Sequence, residues 1–173
     1  MISVSETLLE IMNQICRAMS DPVILMGDNV EFEGKEFVIV EDDASFRAYL
    51  ENFLKKHNCK VRSFDRADTA IREIRERSWN WSPFMVIADI VLGASSGYVF
   101  IRQVADIYSR KPVAILAISQ LVGSDDQAEA ELAGASRYLR KPIKNEAVLE
   151  AAIKETAEKV YEPNKNTLTL RSS

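Results

Sequence analysis

The sequence predicts an α/β fold: a doubly wound five-stranded parallel sheet with helices on both faces, preceded by an extra N-terminal amphipathic helix. Three observations predict it. Five short apolar runs recur between residues 35 and 161, namely FVIV (37–40), CKVRSF (59–64), FMVIA (84–88), VAILAIS (113–119) and RYL (137–139). Stretches with apolar residues at helical spacing separate them, which is the alternation of parallel strands and crossover helices. The third and fourth runs are almost wholly apolar, as central strands covered on both faces require.

In chain order, residues 1–34 lie outside this alternation. Val4, Leu8, Ile11, Met12, Ile15 and Met19 form one helical stripe, Ser3 and Glu6 have capping-box spacing, and Asp21-Pro22 ends the helix. Such a stripe must be buried on its own domain, in a homodimer, or against a preceding domain. After the first run, Phe46, Leu50, Phe53 and Leu54 share a helical face, as do Ala67, Ala70, Ile71 and Ile74, and then Val99, Ile101, Val104 and Ile107. Val148, Leu149, Ala152, Ile153 and Val160 form the last stripe, which Pro163 stops. Right-handed crossovers then place helices on both faces of the sheet. Residues 35–161 are therefore expected to be the main domain, and the polar residues 162–173 a loose tail.

Composition excludes several classes. The 22 Lys and Arg against 26 Asp and Glu give a net charge of −4, without the basic face that a nucleic-acid backbone needs. No run approaches the roughly 18 apolar residues that span a bilayer. The first helix carries one cation, Arg17, so a membrane-surface role is not expected, and the N-terminus does not read as a signal peptide. A cytoplasmic protein is expected. Cys16 and Cys59 are too few for a disulfide framework or a zinc site and read as small buried side chains.

Chemistry in an open parallel sheet gathers at the carboxyl ends of the strands. There the runs end in Glu41-Asp42-Asp43, Asp89, Ser119 and Lys141-Pro142. Each has an ordinary reading: Asp43 as a helix N-terminus, Ser119 as a turn residue, Lys before Pro as a surface loop. Their conjunction in one cleft is the informative feature. Two carboxylates 4 Å apart repel by about 4 kcal/mol at an effective dielectric of 20. A hard divalent cation such as Mg²⁺ removes that conflict, and a lysine supplies a second positive charge. Together they stabilise an anion built on Asp89, for which a phosphoryl group is the natural candidate, with Asp89 as nucleophile.

The stretches VIVEDD, VIADIVLGASSG, AIS and YLRKPI resemble the motifs of the receiver domain of two-component response regulators, over about residues 35–161. The resemblance implies a flavodoxin-like sheet of strand order 2-1-3-4-5. It also implies that Asp89 accepts a phosphoryl group from a histidine kinase or phosphotransfer protein. Asp42, Asp89 and the Val91 backbone carbonyl would hold Mg²⁺, with Glu41 helping through water. Lys141 would contact the phosphoryl oxygens, Ser119 would close on one of them, and Tyr138 would be the switch aromatic. The Lys141-Pro142 bond would be cis. Output to an unnamed downstream protein would run through the fourth helix, fifth strand and fifth helix.

Several positions depart from the pattern. Glu41 stands where many relatives have Asp, and Gly93 replaces a usual proline, which leaves the unfolded loop less restricted. Trp79 and Trp81 extend a loop that is ordinarily shorter and read as packing residues or a partner contact rather than a cofactor site, while His57 reads as a solvated cap. Two rivals stand beside the receiver reading: an interaction module that is never phosphorylated, and an aspartate-nucleophile phosphatase, which needs a second acid where Val91 stands. The chain is expected to be either a stand-alone regulator, which Met1 followed by a capped helix favours, or a fragment of a longer regulator or hybrid kinase. Gln120 is the largest departure, because the family prefers a very small residue there. Its bulk is expected to hinder the hydrolytic water and slow dephosphorylation. Gln120→Ala should therefore shorten the phosphoryl half-life, and equal half-lives for the two proteins would contradict this.

Overall fold

The computed structural model describes residues 31–162 apart from 94 and 122. The expected N-terminal helix, Cys16 and the tail beyond Glu162 lie outside these residues. In order, the elements are β1 (Glu36–Val40), α1 (Ala44–Lys56), β2 (Lys60–Phe64), α2 (Ala67–Arg77), β3 (Met85–Asp89), β4 (Val91–Leu92), β5 (Ser95–Ser96), α3 (Gly97–Ile107), β6 (Ala114–Ser119), α4 (Ser124–Ala133), β7 (Arg137–Arg140) and α5 (Glu146–Tyr161). Strands β2-β1-β3-β6-β7 form one parallel sheet. This is the expected order 2-1-3-4-5, because β4 and β5 stand apart as a two-residue antiparallel hairpin.

The central strands β3 and β6 are buried at every position. Val38, Val40, Val86, Ala88, Ile115 and Ala117 share a core with α2, α3 and α4. The alternate residues Phe37, Ile39, Ile87, Leu116 and Ile118 are equally buried, and the period of two turns them to the opposite face, where α1 and α5 pack. Phe32, ahead of the expected boundary at residue 35, belongs to this second core and meets the Phe37 ring at 6.1 Å.

Local chemistry fixes the helix ends that matter for the cleft. Asp43 caps α1 by accepting the Phe46 backbone N–H at 2.7 Å, and Lys55 and Lys56 suit its negative C-terminal end. His57 is the C-cap, as expected, but it is not a solvated one. Its ring is half-buried against Phe53 and Phe32, at 4.8 and 5.0 Å. Cys59 is buried as expected.

The structure corrects two packing expectations. On α3 the buried positions are Gly97, Phe100, Ile101 and Val104, so Val99 falls on the outward arc and is 57% exposed. Trp81 packs on the core, with the guanidinium groups of Arg62 and Arg77 over its ring at 5.8 and 5.6 Å, whereas Trp79 is 82% exposed. Of the two expected roles, packing therefore holds for Trp81 and not for Trp79.

Two glycines shape the loop after β3. Gly93 has φ +54°, a left-handed turn conformation closed to the proline usual at this position, whose ring fixes φ near −65°. Gly97 opens α3 against the strand itself. A Cβ there would lie 2.1 Å from the Asp89 carbonyl oxygen and 2.5 Å from Ile90 Cα. With no side chain in the way, the Gly97 N–H donates to the Ile90 carbonyl at 2.9 Å and α3 seats directly behind Asp89.

Candidate functional site

Strand order places the carboxyl ends of β1 and β3 side by side, so Glu41 and Asp89 meet at the top of the sheet. Both are buried, at 1% and 5% exposure, while Asp42 faces solvent. One oxygen from each of Glu41, Asp42 and Asp89 lies within 4.8 Å of the others, and these three residues could hold a metal ion. Lys141, just beyond β7, reaches into the same place. Its ammonium donates to Asp89 Oδ2 at 2.6 Å and to Glu41 Oε1 and Oε2 at 3.0 and 2.9 Å. The other Asp89 oxygen accepts the Val91 N–H at 2.9 Å.

The surrounding backbone is tied to these groups. Arg47 Nη1 donates to the carbonyls of Glu41 and Asp42 at 2.7 and 3.4 Å, which fixes the turn after β1. The Lys141 N–H donates to the Ser119 carbonyl at 2.7 Å, and the Lys141-Pro142 bond is cis, as expected. An open cleft of about 740 Å³ lies above Asp89 and Lys141, with Phe46, Tyr49, Pro142 and Ile143 among its lining residues. Val91 and Gln120 also line it.

Three carboxylates face one ammonium, and Glu41 is the one whose proton affinity departs from the ordinary value. Burial foremost, with the Asp89 charge adding to it against the pull of Lys141, pushes Glu41 up to about 7. Burial opposes the Lys141 charge, but hydrogen bonds to Asp89 and Glu41 outweigh it and hold the ammonium above its ordinary value. A divalent cation would neutralise the surplus, so the donor set fits a hard metal ion.

The sequence-derived residues are thus brought together in part. Glu41, Asp42, Asp89, Val91 and Lys141 surround the cleft. Ser119 and Tyr138 are coupled beside it through one residue: the Leu121 N–H donates to Ser119 Oγ at 3.2 Å, and Tyr138 Oη donates to the Leu121 carbonyl at 3.2 Å. Asp43 is the helix cap of its ordinary reading. Sequence patterning missed Phe46, which it placed in the core stripe of α1. The Lys141 ammonium lies 4.2 Å from the Phe46 ring centroid.

The sequence profile of the response regulator receiver domain matches residues 37–154. The chain belongs to this family. The receiver is 34% identical over 127 residues to the transcriptional regulatory protein YxdJ of Bacillus subtilis, covering 73% of this chain and 52% of that protein. It therefore spans about half the length of this curated relative. Its fold matches a response regulator from Burkholderia pseudomallei, solved with a phosphorylated aspartic acid, a calcium ion and citrate, at TM-score 0.61 and 22% identity, covering 80% of this chain and 75% of that one. It also matches the receiver of Ssk1 from Saccharomyces cerevisiae, solved with the histidine phosphotransfer protein Ypd1, at TM-score 0.63 and 23% identity over 75% and 93% of the two chains.

The Glu41 shift has a pH consequence. The folded receiver holds a Glu41 proton up to about pH 7, whereas the unfolded chain releases it near the ordinary 4.5. Glu41's contribution to stability is therefore full below that lower value and lost as pH rises through 7. In the presence of a chelator, the urea midpoint of Glu41→Gln is expected to gain on that of the wild type between pH 5 and pH 8. A gap that stays constant across this range would contradict the shift.

Proposed function

We propose that this receiver accepts a phosphoryl group on Asp89 in a Mg²⁺-dependent reaction and signals by changing a protein-interaction surface. The observation that carries the reading is the placement of Asp89. It is a carboxylate at the floor of an open cleft, 2.6 Å from an ammonium and clustered with two further carboxylates.

In this reading the Glu41, Asp42 and Asp89 carboxylates, with the Val91 carbonyl of the family pattern, would hold the Mg²⁺. The metal supplies positive charge against the oxygens of the transferring group. Asp89 attacks phosphorus in line, the bond from phosphorus to the donor nitrogen breaks, and the electron pair leaves with the imidazole, which takes a proton from solvent. Lys141 keeps its charge in the buried site and passes from Glu41 to a phosphoryl oxygen. The Ser119 hydroxyl turns to donate to another phosphoryl oxygen, which draws its Oγ away from the Leu121 N–H that it accepts. That movement acts on Leu121, whose carbonyl holds Tyr138, so the charge change at Asp89 reaches the β7 surface through one backbone unit.

The Ssk1 receiver was solved with a histidine phosphotransfer protein, which supports a histidine kinase or phosphotransfer protein as the donor here. Among the described residues no helix is long and apolar enough to cross a membrane, and a cytoplasmic location accords with such a donor. The receiver is a phosphoacceptor in this reading rather than an enzyme that turns over a separate substrate, and its downstream partner is another protein.

Incubation with Mg²⁺ and a small phosphoryl donor, followed by intact-mass measurement, should add one phosphoryl mass to the wild type and none to Asp89→Asn. No gain from any small donor or from a phosphorylated histidine protein would overturn the reading in favour of an unphosphorylated interaction module.

A further inference from the structure

We propose that Phe46 is a positioning residue that holds the Lys141 ammonium in place through the face of its ring, an inference that rests on the phosphoacceptor reading of Asp89. The ammonium spends its N–H groups on Glu41 Oε1 and Oε2 and on Asp89 Oδ2. It also lies over the Phe46 ring, 4.2 Å from the centroid. An aromatic face attracts a cation electrostatically but neither donates nor accepts a conventional hydrogen bond. It therefore holds the charge without competing with the oxygens that Lys141 must reach.

Phe46 is itself fixed from two directions. Its backbone N–H is held by the Asp43 cap at 2.7 Å, and its ring stacks on Tyr49, three residues along α1, at 5.8 Å and 28°. The helical stripe of the sequence would send it into the core with Leu50, Phe53 and Leu54, yet it is only half-buried and lines the cleft beside Pro142 and Ile143. When a phosphoryl group arrives, Lys141 must leave Glu41 and take a new oxygen while staying above Asp89. A ring facing the ammonium keeps it there during the exchange. Phe46 touches neither Asp89 nor the arriving group in this scheme; it acts through Lys141.

The test is a series in which Phe46 is replaced by phenylalanines carrying one, two and three ring fluorines, which drain the negative face while nearly preserving shape. Affinity for beryllofluoride in the presence of Mg²⁺, measured by titration calorimetry, is expected to fall stepwise with fluorine number, to a loss of roughly fivefold at three fluorines. Phe46→Tyr should retain the wild-type affinity and Phe46→Leu should lose about as much as the trifluorinated protein, with thermal midpoints checking that each variant is folded. A flat fluorine series would overturn the role of Phe46 while leaving the phosphoacceptor reading intact. A wild-type protein that binds no beryllofluoride would overturn both. Should Phe46→Leu fail to fold, the near-isosteric fluorine series decides alone.

Discussion

The ion pair between Lys141 and Asp89 is the interaction on which the rest of the site depends. A carboxylate that closes a fully buried strand carries a desolvation penalty of several kcal/mol unless it is paired. Here β3 ends in such a group because β7 delivers an ammonium to within 2.6 Å of it. That delivery follows from topology. The sheet order sets β1 and β6 on either side of β3, and β7 beyond β6, so the loop after β7 can cross the strand ends to the acids. The Lys141 N–H anchors the crossing on the Ser119 carbonyl, and Gly97 lets α3 press against the backbone of Asp89 from behind.

The pair does not balance the cleft. One ammonium answers three acidic side chains, and Glu41, buried beside Asp89, is pushed up toward neutrality. A site with surplus negative charge, an exposed third carboxylate and an open mouth suits a positive charge, and in the proposed reading an anion would follow it. The two arrivals are linked. A cation held by these acids would relieve the repulsion among them, and Lys141 would then no longer be held twice by Glu41. In the proposed reading Lys141 would then be available to the oxygens of a group mounted on Asp89. In the proposed reading chemistry and switching would share one geometry, because Ser119, which would meet the same group, is bonded to the Leu121 backbone that also holds Tyr138.

Much of this was legible in the sequence, for identifiable reasons. Strands β1, β3 and β6 are short apolar runs with few alternatives, and their carboxyl ends fall at the acids and the serine that the sequence marks. Elements whose burial depends on a neighbour were less legible. Helix α4 carries no clear apolar stripe, because small residues such as Ala130 and Ala133 make its inward contacts while Leu132 faces solvent. Val99 and Phe100 compete for one inward arc on α3, and only packing shows that the aromatic takes it. Phe46 obeys the helical period, but the period cannot distinguish a core from the wall of a cleft. Trp79 and Trp81, two residues apart in one loop, differ in burial because Trp81 packs against the core with two arginines over its ring and Trp79 does not. The hairpin at Gly93 was hidden for another reason: a family comparison marks a missing proline but not the left-handed turn that glycine permits.

A crystal structure of the protein grown with Mg²⁺ and beryllofluoride addresses the central claim most directly, since it shows where each charge goes when an anion meets Asp89. The expected result is beryllium bonded to an Asp89 carboxylate oxygen, the metal held by Asp42 and Asp89, and Lys141 moved from Glu41 to a fluoride. Beryllofluoride absent from Asp89, with Lys141 still bridging Glu41 and Asp89 in the presence of the metal, would contradict it.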